Sequence, residues 1–118
     1  MLTEIGRYLR KMRVDHGQTI GEMASQIGVS LALLSAIETG RNRLTDKMIK
    51  MLDDYILDVD PFNFHNYKRA VILTVDFLQI EMKDLSENQK LISEIFIKSA
   101  KKLTDYQINK ISETIKGE

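Results

Sequence analysis

Cysteine is absent from this 118-residue chain, and that one gap removes disulfides, thiol catalysis and cysteine-ligated zinc together. A surplus of charge is missing too: 17 basic residues balance 17 acidic ones, whereas a nucleic-acid binder is often basic. No apolar run approaches the ~18 residues that a membrane span requires. The first residues lack the basic-then-apolar order of a signal peptide. A soluble, cytoplasmic protein with no membrane partner is therefore expected. Phosphate-cradling glycine loops, nucleophile elbows and metalloprotease patterns are all lacking, so no enzyme is expected. His16 and His65 stand apart from any second ligand at a convincing spacing. The run Asp53, Asp54, Asp58, Asp60 lacks the glycine and the spaced glutamate of a calcium loop. Neither a metal nor a cofactor is expected. Internal repeats and low-complexity stretches are also missing.

What is present suits a globular chain: an ordinary hydrophobic fraction of 43 % sets disorder aside. The length fits one compact domain, or a small domain with an accessory segment. Charge is sorted along the chain even though it cancels. Arg7, Arg10, Lys11 and Arg13 share one predicted helix, Arg41, Arg43, Lys47 and Lys50 follow a later one, and the aspartates gather beyond them. A dipolar module of this kind can meet phosphate with one face and turn its acids away.

The most informative stretch is residues 19–43, TIGEMASQIGVSLALLSAIETGRNR. Thr19 with Glu22 forms a capping box, and Ile20, Met23, Ala24 and Ile27 recur at helical spacing. Gly28 supplies the left-handed backbone that ends this helix, and Val29 plugs the turn. Ser30 caps a second helix with Leu34 and Ile37 inward, ended by Gly40. Small Ala24 lets the two helices cross closely and steeply, which is the geometry of a helix-turn-helix. Around it the pattern predicts a first helix over about Thr3 to Asp15, burying Leu2, Ile5, Leu9 and Met12. A fourth is predicted from the Thr45 cap, with Met48, Met51, Leu52, Tyr55 and Ile56 inward. Asp60-Pro61 predicts the start of a fifth, burying Phe64, Tyr67 and Val71.

With IGRYLRKMRVDHG, MASQIGVS and LLSAIETGRNR in order, roughly Ile5 to Leu57 resembles the Xre, or lambda-repressor-like (Cro/C1-type), family of bacterial and phage regulators. The resemblance implies a bundle of four or five helices that binds double-stranded DNA. It also implies a structural ion pair between Arg13 and Glu38. The base-facing positions become Leu31, Ala32, Leu33, Ser35 and Ala36. Phosphate contacts are expected from Arg10, Arg41, Asn42, Arg43 and Lys47, with the backbone at Ile20, Gly21 and Ser30. The chain departs from many members in carrying Ile20 and Gly21 where a glutamine is common. None of its base-facing residues makes the bidentate contacts of arginine to guanine or glutamine to adenine. Thymine-methyl contact, a serine hydroxyl and duplex shape are what remain.

Beyond residue 75, Leu78, Ile80 and Met82 alternate with Gln79 and Glu81, the period of a half-buried strand. Ser86 with Gln89 and Thr104 with Gln107 then open two helices, the first with Leu91, Ile92, Ile95, Phe96 and Ala100 inward, the second with Ile108, Ile111 and Ile115. A lone strand edge leaves backbone groups unpaired, and pairing with its copy in a second molecule would remedy that. An added helical layer on a monomer is the alternative. Asp84-Leu85-Ser86-Glu87, Phe96 and Leu103-Thr104-Asp105 loosely resemble the tail of a subgroup of the same regulators.

The expectation is thus a mainly α protein, with a helix-turn-helix domain over 1–60 and a C-terminal segment over 61–118 holding one short β-strand and two helices. Dimerisation is assigned to Leu78, Ile80, Met82 and Phe96. The function expected is that of a sequence-specific transcriptional regulator, a repressor acting as a homodimer on an inverted-repeat operator. The alternative is a protein-interaction module, antitoxin or antirepressor-like, that turns the apolar face at Leu31 to Leu33 toward a protein partner.

Overall fold

A computed structural model describes residues 1–76 and 81–117. The chain forms two compact units, Met1–Leu78 and Gln79–Glu118.

In the first unit, α1 (Glu4–His16), α2 (Ile20–Ile27), α3 (Leu31–Glu38), α4 (Asp46–Val59) and α5 (Phe64–Thr74) follow in order, with a 3-10 turn at Pro61–Asn63. Side-chain caps set the starts of the first four helices. The hydroxyls of Thr3, Thr19, Ser30 and Thr45 accept from the N–H groups of Gly6, Glu22, Leu33 and Met48, each satisfying a donor that the helix leaves orphaned. Left-handed glycines stop α1 at Gly17 and α2 at Gly28. The core gathers Ile5 and Leu9 from α1, Met23 from α2, Leu34 from α3, Leu52 and Ile56 from α4, and Tyr67 and Val71 from α5. Of the side chains expected inward in this unit, Leu2, Ile20, Met51 and Phe64 are only partly covered.

α5 starts differently from the expectation. Asp60 makes no cap: its carboxylate accepts from the Asn63 side chain at 3.0 and 3.1 Å. Pro61 opens a single 3-10 turn, and the α-helix begins only at Phe64. α5 then packs on α1. The Thr74 hydroxyl accepts from the Ile5 N–H at 2.9 Å, satisfying an orphan donor in the first turn of α1. The rings of Tyr8 and Tyr67 lie 5.9 Å apart. On the other side, Asp53 of α4 accepts from the Tyr67 hydroxyl at 2.6 Å and pairs with Lys68 at 3.0 Å. α5 therefore closes the N-terminal unit.

The second unit holds α6 (Glu87–Ser99), a 3-10 turn at Ala100–Lys102 and α7 (Asp105–Lys116). Reciprocal capping boxes open both helices, Ser86 with Gln89 and Thr104 with Gln107. The regular elements among the described residues are all helices, with no strand among them, which corrects the mixed helix-and-strand expectation. Leu78 and Ile80 lie outside the described residues. Met82 stands in a turn, where its carbonyl accepts from the Leu85 N–H at 3.0 Å. The turn at Met82 leads into the Ser86 cap, so Met82 belongs to the connection into α6. The inward assignment in α6 is corrected too: Leu91, Ile92, Ile95 and Phe96 are all exposed, and neither helix holds a buried residue.

Candidate nucleic-acid interface

The turn between α2 and α3 is built from small residues and backbone bonds. Gly28, at φ 96°, and Val29 both donate to the Ala24 carbonyl, at 2.9 and 3.0 Å. Ala24 is buried, so nothing holds the helices apart. The chain bends by 105° from α2 to α3, within the range of a helix-turn-helix pair.

Two fixtures set how α3 stands on the bundle. Arg13 of α1 makes two bonds to the Glu38 carboxylate, at 2.5 and 2.8 Å, and its guanidinium also lies 3.4 Å from the Met23 sulfur of α2. Both charged side chains are buried, so one fork carried by α1 ties the end of α3 to α2. The second fixture is at Gly6. The Thr3 amide and hydroxyl both donate to the Glu38 carbonyl, at 2.8 and 3.0 Å, and a Cβ on Gly6 would collide with that same oxygen. Sequence reasoning missed Gly6. Its signal was available, a glycine in the first turn of a helix otherwise well supplied with apolar residues.

With Leu34 and Ile37 facing the core, α3 presents Leu31, 51 % exposed, and Ala32 to solvent. Ser35 and Ala36 are half-buried at its flank, and Leu33 leans partly against the core. Gly21 borders Leu31: a Cβ there would stand 3.5 Å from the leucine Cδ1, ordinary contact. The first turn of α2 therefore adjoins the start of α3. The capping box uses the N–H groups of Thr19 and Glu22, while those of Ile20 and Gly21 have no acceptor within the helix.

Arg10, Arg41, Asn42, Arg43 and Lys47 are all exposed. The segment after α3 folds back on it. Gly40, at φ 78°, donates to the Ile37 carbonyl, and the Asn42 N–H donates to that of Ala36 at 3.1 Å. Arg41 reaches the same way, with Nε donating to the Thr39 hydroxyl at 3.2 Å and Nη2 to the Ser35 hydroxyl at 3.4 Å.

The shifted ionisations belong to the support, away from α3. Burial, then the hydrogen bond to Asp53 and the charges nearby, push the Tyr67 hydroxyl far above the ordinary tyrosine value. Burial and the charge of Asp60 raise that of Tyr8. His16 caps the end of α1, its ring 2.7 Å from the Met12 carbonyl. Among the described residues, no three His, Cys, Asp or Glu side chains converge as metal ligands, and no single helix is long and apolar enough to cross a membrane.

A steep helix pair with an exposed second helix and cations at its margin defines a DNA-binding class. Residues 4–61 match the family model described as a helix-turn-helix domain, and this part of the chain belongs to that family, in its Xre/Cro-like type. The match ends before α5, the helix that closes the unit. No curated protein and no solved structure matches the chain.

Proposed function

We propose that this protein is a sequence-specific transcriptional regulator that binds double-stranded DNA as a homodimer on an inverted repeat, and that it represses. The observation that carries this reading is the outward face of α3, with Leu31 and Ala32 exposed while Leu34, Ile37 and Glu38 anchor the opposite face. In a major groove the methyl groups of Leu31, Ala32 and Ala36, with part of Leu33, would meet thymine methyls, and Ser35 would add a hydroxyl. Phosphates on either side would be held by Arg10, Asn42, Arg43 and Lys47, and by the amides at the starts of α2 and α3, at Ile20, Gly21 and Ser30. Arg41 adds positive charge to the same margin.

One such helix reads few bases, and two spaced by one DNA turn, ~34 Å, read an inverted repeat. The second unit supports pairing through its helices. α6 and α7 leave apolar side chains exposed, Phe96 and Ile108 among them, and helices of this length are marginal in water without packing. A second copy of the chain offers the matching apolar surface. Repression follows from occupancy alone, with no catalytic step asked of the protein.

Titration of duplex binding with salt tests the reading. Affinity should fall with a log–log slope of about −0.9 per phosphate contacted. Arg43→Ala with Lys47→Ala should weaken all duplexes alike and flatten that slope. The exposed apolar pair Leu31 and Ala32 favours one second reading, a module of antitoxin or antirepressor type that grips a protein there. A response flat in salt would replace the DNA reading with that one.

A further inference from the structure

The outward side chains of α3 carry methyl groups and one hydroxyl, and none of them offers a fork of donors. The guanidinium of Arg41 lies beside them. We infer that Arg41 is a base-reading residue that selects guanine at the edge of each half-site, not a phosphate contact; the inference rests on the DNA-binding reading above. Its Nε donates to Thr39 Oγ1 at 3.2 Å and its Nη2 to Ser35 Oγ at 3.4 Å, so the side chain runs back along the last turn of α3 and brings its head to Ser35. The Thr39 hydroxyl gives its own proton to the Ser35 carbonyl at 2.9 Å and is left as an acceptor for Nε. These bonds occupy one flank of the guanidinium. The other end, both hydrogens of Nη1 and the second of Nη2, remains an unspent fork.

That fork matches the paired acceptors N7 and O6 of guanine, a pattern that no other base shows in the major groove. Two tethers restrain the arginine before it binds, which lowers the entropy lost on contact. The cation also sits at the C-terminal end of α3, where the helix dipole favours it. A specificity that Leu31 and Ala32 cannot supply thus comes from a residue after the helix.

The test enriches duplexes randomised over about 24 base pairs, room for two half-sites one turn apart, against the full chain and its variants. The wild type should enrich a motif with guanine at one matched position per half-site, preferred over other bases roughly 5- to 150-fold. Arg41→Ala should lose that preference and keep the rest of the motif. Thr39→Val, which removes the Nε tether and leaves the charge, should weaken the preference without changing the salt slope. Arg41→Ala enriching the same motif, with uniformly weaker binding and a slope lower by about one, would overturn base reading and leave DNA binding in place. A wild-type motif without guanine would overturn it as well. Failure of the wild type to bind any duplex would defeat the functional reading itself.

Discussion

The two units of this chain use the same local grammar and reach opposite degrees of packing. Thr19 with Glu22 in the first, and Ser86 with Gln89 and Thr104 with Gln107 in the second, make the same reciprocal capping box. Yet the first unit buries Tyr67, Ile5 and Leu9 completely, while Ile92, Ile95 and Ile97 of the second stay about 60 % exposed. Caps decide where a helix begins and say nothing of what it will lie against. Packing in the first unit comes from contacts remote in sequence, Arg13 to Glu38 and Ile5 to Thr74. No comparable bond reaches from α6 to α7 among the described residues.

Breaking the remote contacts should therefore damage the first unit far more than any apolar change in the second. Arg13→Met has the largest expected effect. It strands the Glu38 carboxylate in the core, at a cost of about 3–5 kcal/mol, read as a shift in the denaturant midpoint; a loss below about 1 kcal/mol would deny the pair its anchoring role. Tyr67→Phe comes next. It removes a hydrogen bond to a charged acceptor, worth about 1.5–3 kcal/mol.

The same variant sharpens the comparison through pH. Tyr67 ionises well above the ordinary value in the folded chain and near pH 10 when unfolded. The stability it contributes is therefore complete below about pH 10. It declines as pH rises further, because the unfolded state then sheds a proton that the folded state keeps. Urea midpoints measured from pH 8 to 11 should fall at the alkaline end, and less steeply in Tyr67→Phe; equal slopes would place the alkaline loss elsewhere.

Gly6→Ala should cost about 1–3 kcal/mol, since the colliding atom is the Glu38 backbone oxygen and cannot swing aside like a side-chain tip. The smallest effect on the first unit is expected from Ile92→Asp with Phe96→Asp, within about 0.5 kcal/mol by the same denaturation. Light scattering should nevertheless show that double variant as a monomer where the wild type is a dimer. A dimer that survives it would move self-association off α6.

Much of the first unit was legible from the chain alone because its signals are short-range. The caps Thr19, Ser30 and Thr45, the stop glycine Gly28, and the steep turn beside Ala24 each depend on residues within a few positions of one another. The place of α5 was not legible. It depends on Thr74 meeting Ile5 and on Tyr67 meeting Asp53, pairings that no local pattern announces. Alternation also misled at Met82: period-two spacing over three apolar residues is easily met by chance, and the turn at Met82 depends on Leu85 beyond it.

Sequence by itself determined where α2, α3, α4, α6 and α7 begin, and that the second helix of the motif carries no long polar reader, because capping and side-chain identity are local properties. Tertiary structure alone decided that Gly6 must stay bare and that α5 closes the first unit. Each of these depends on atoms brought together across the chain, and distance in space is the one quantity that the order of residues does not contain.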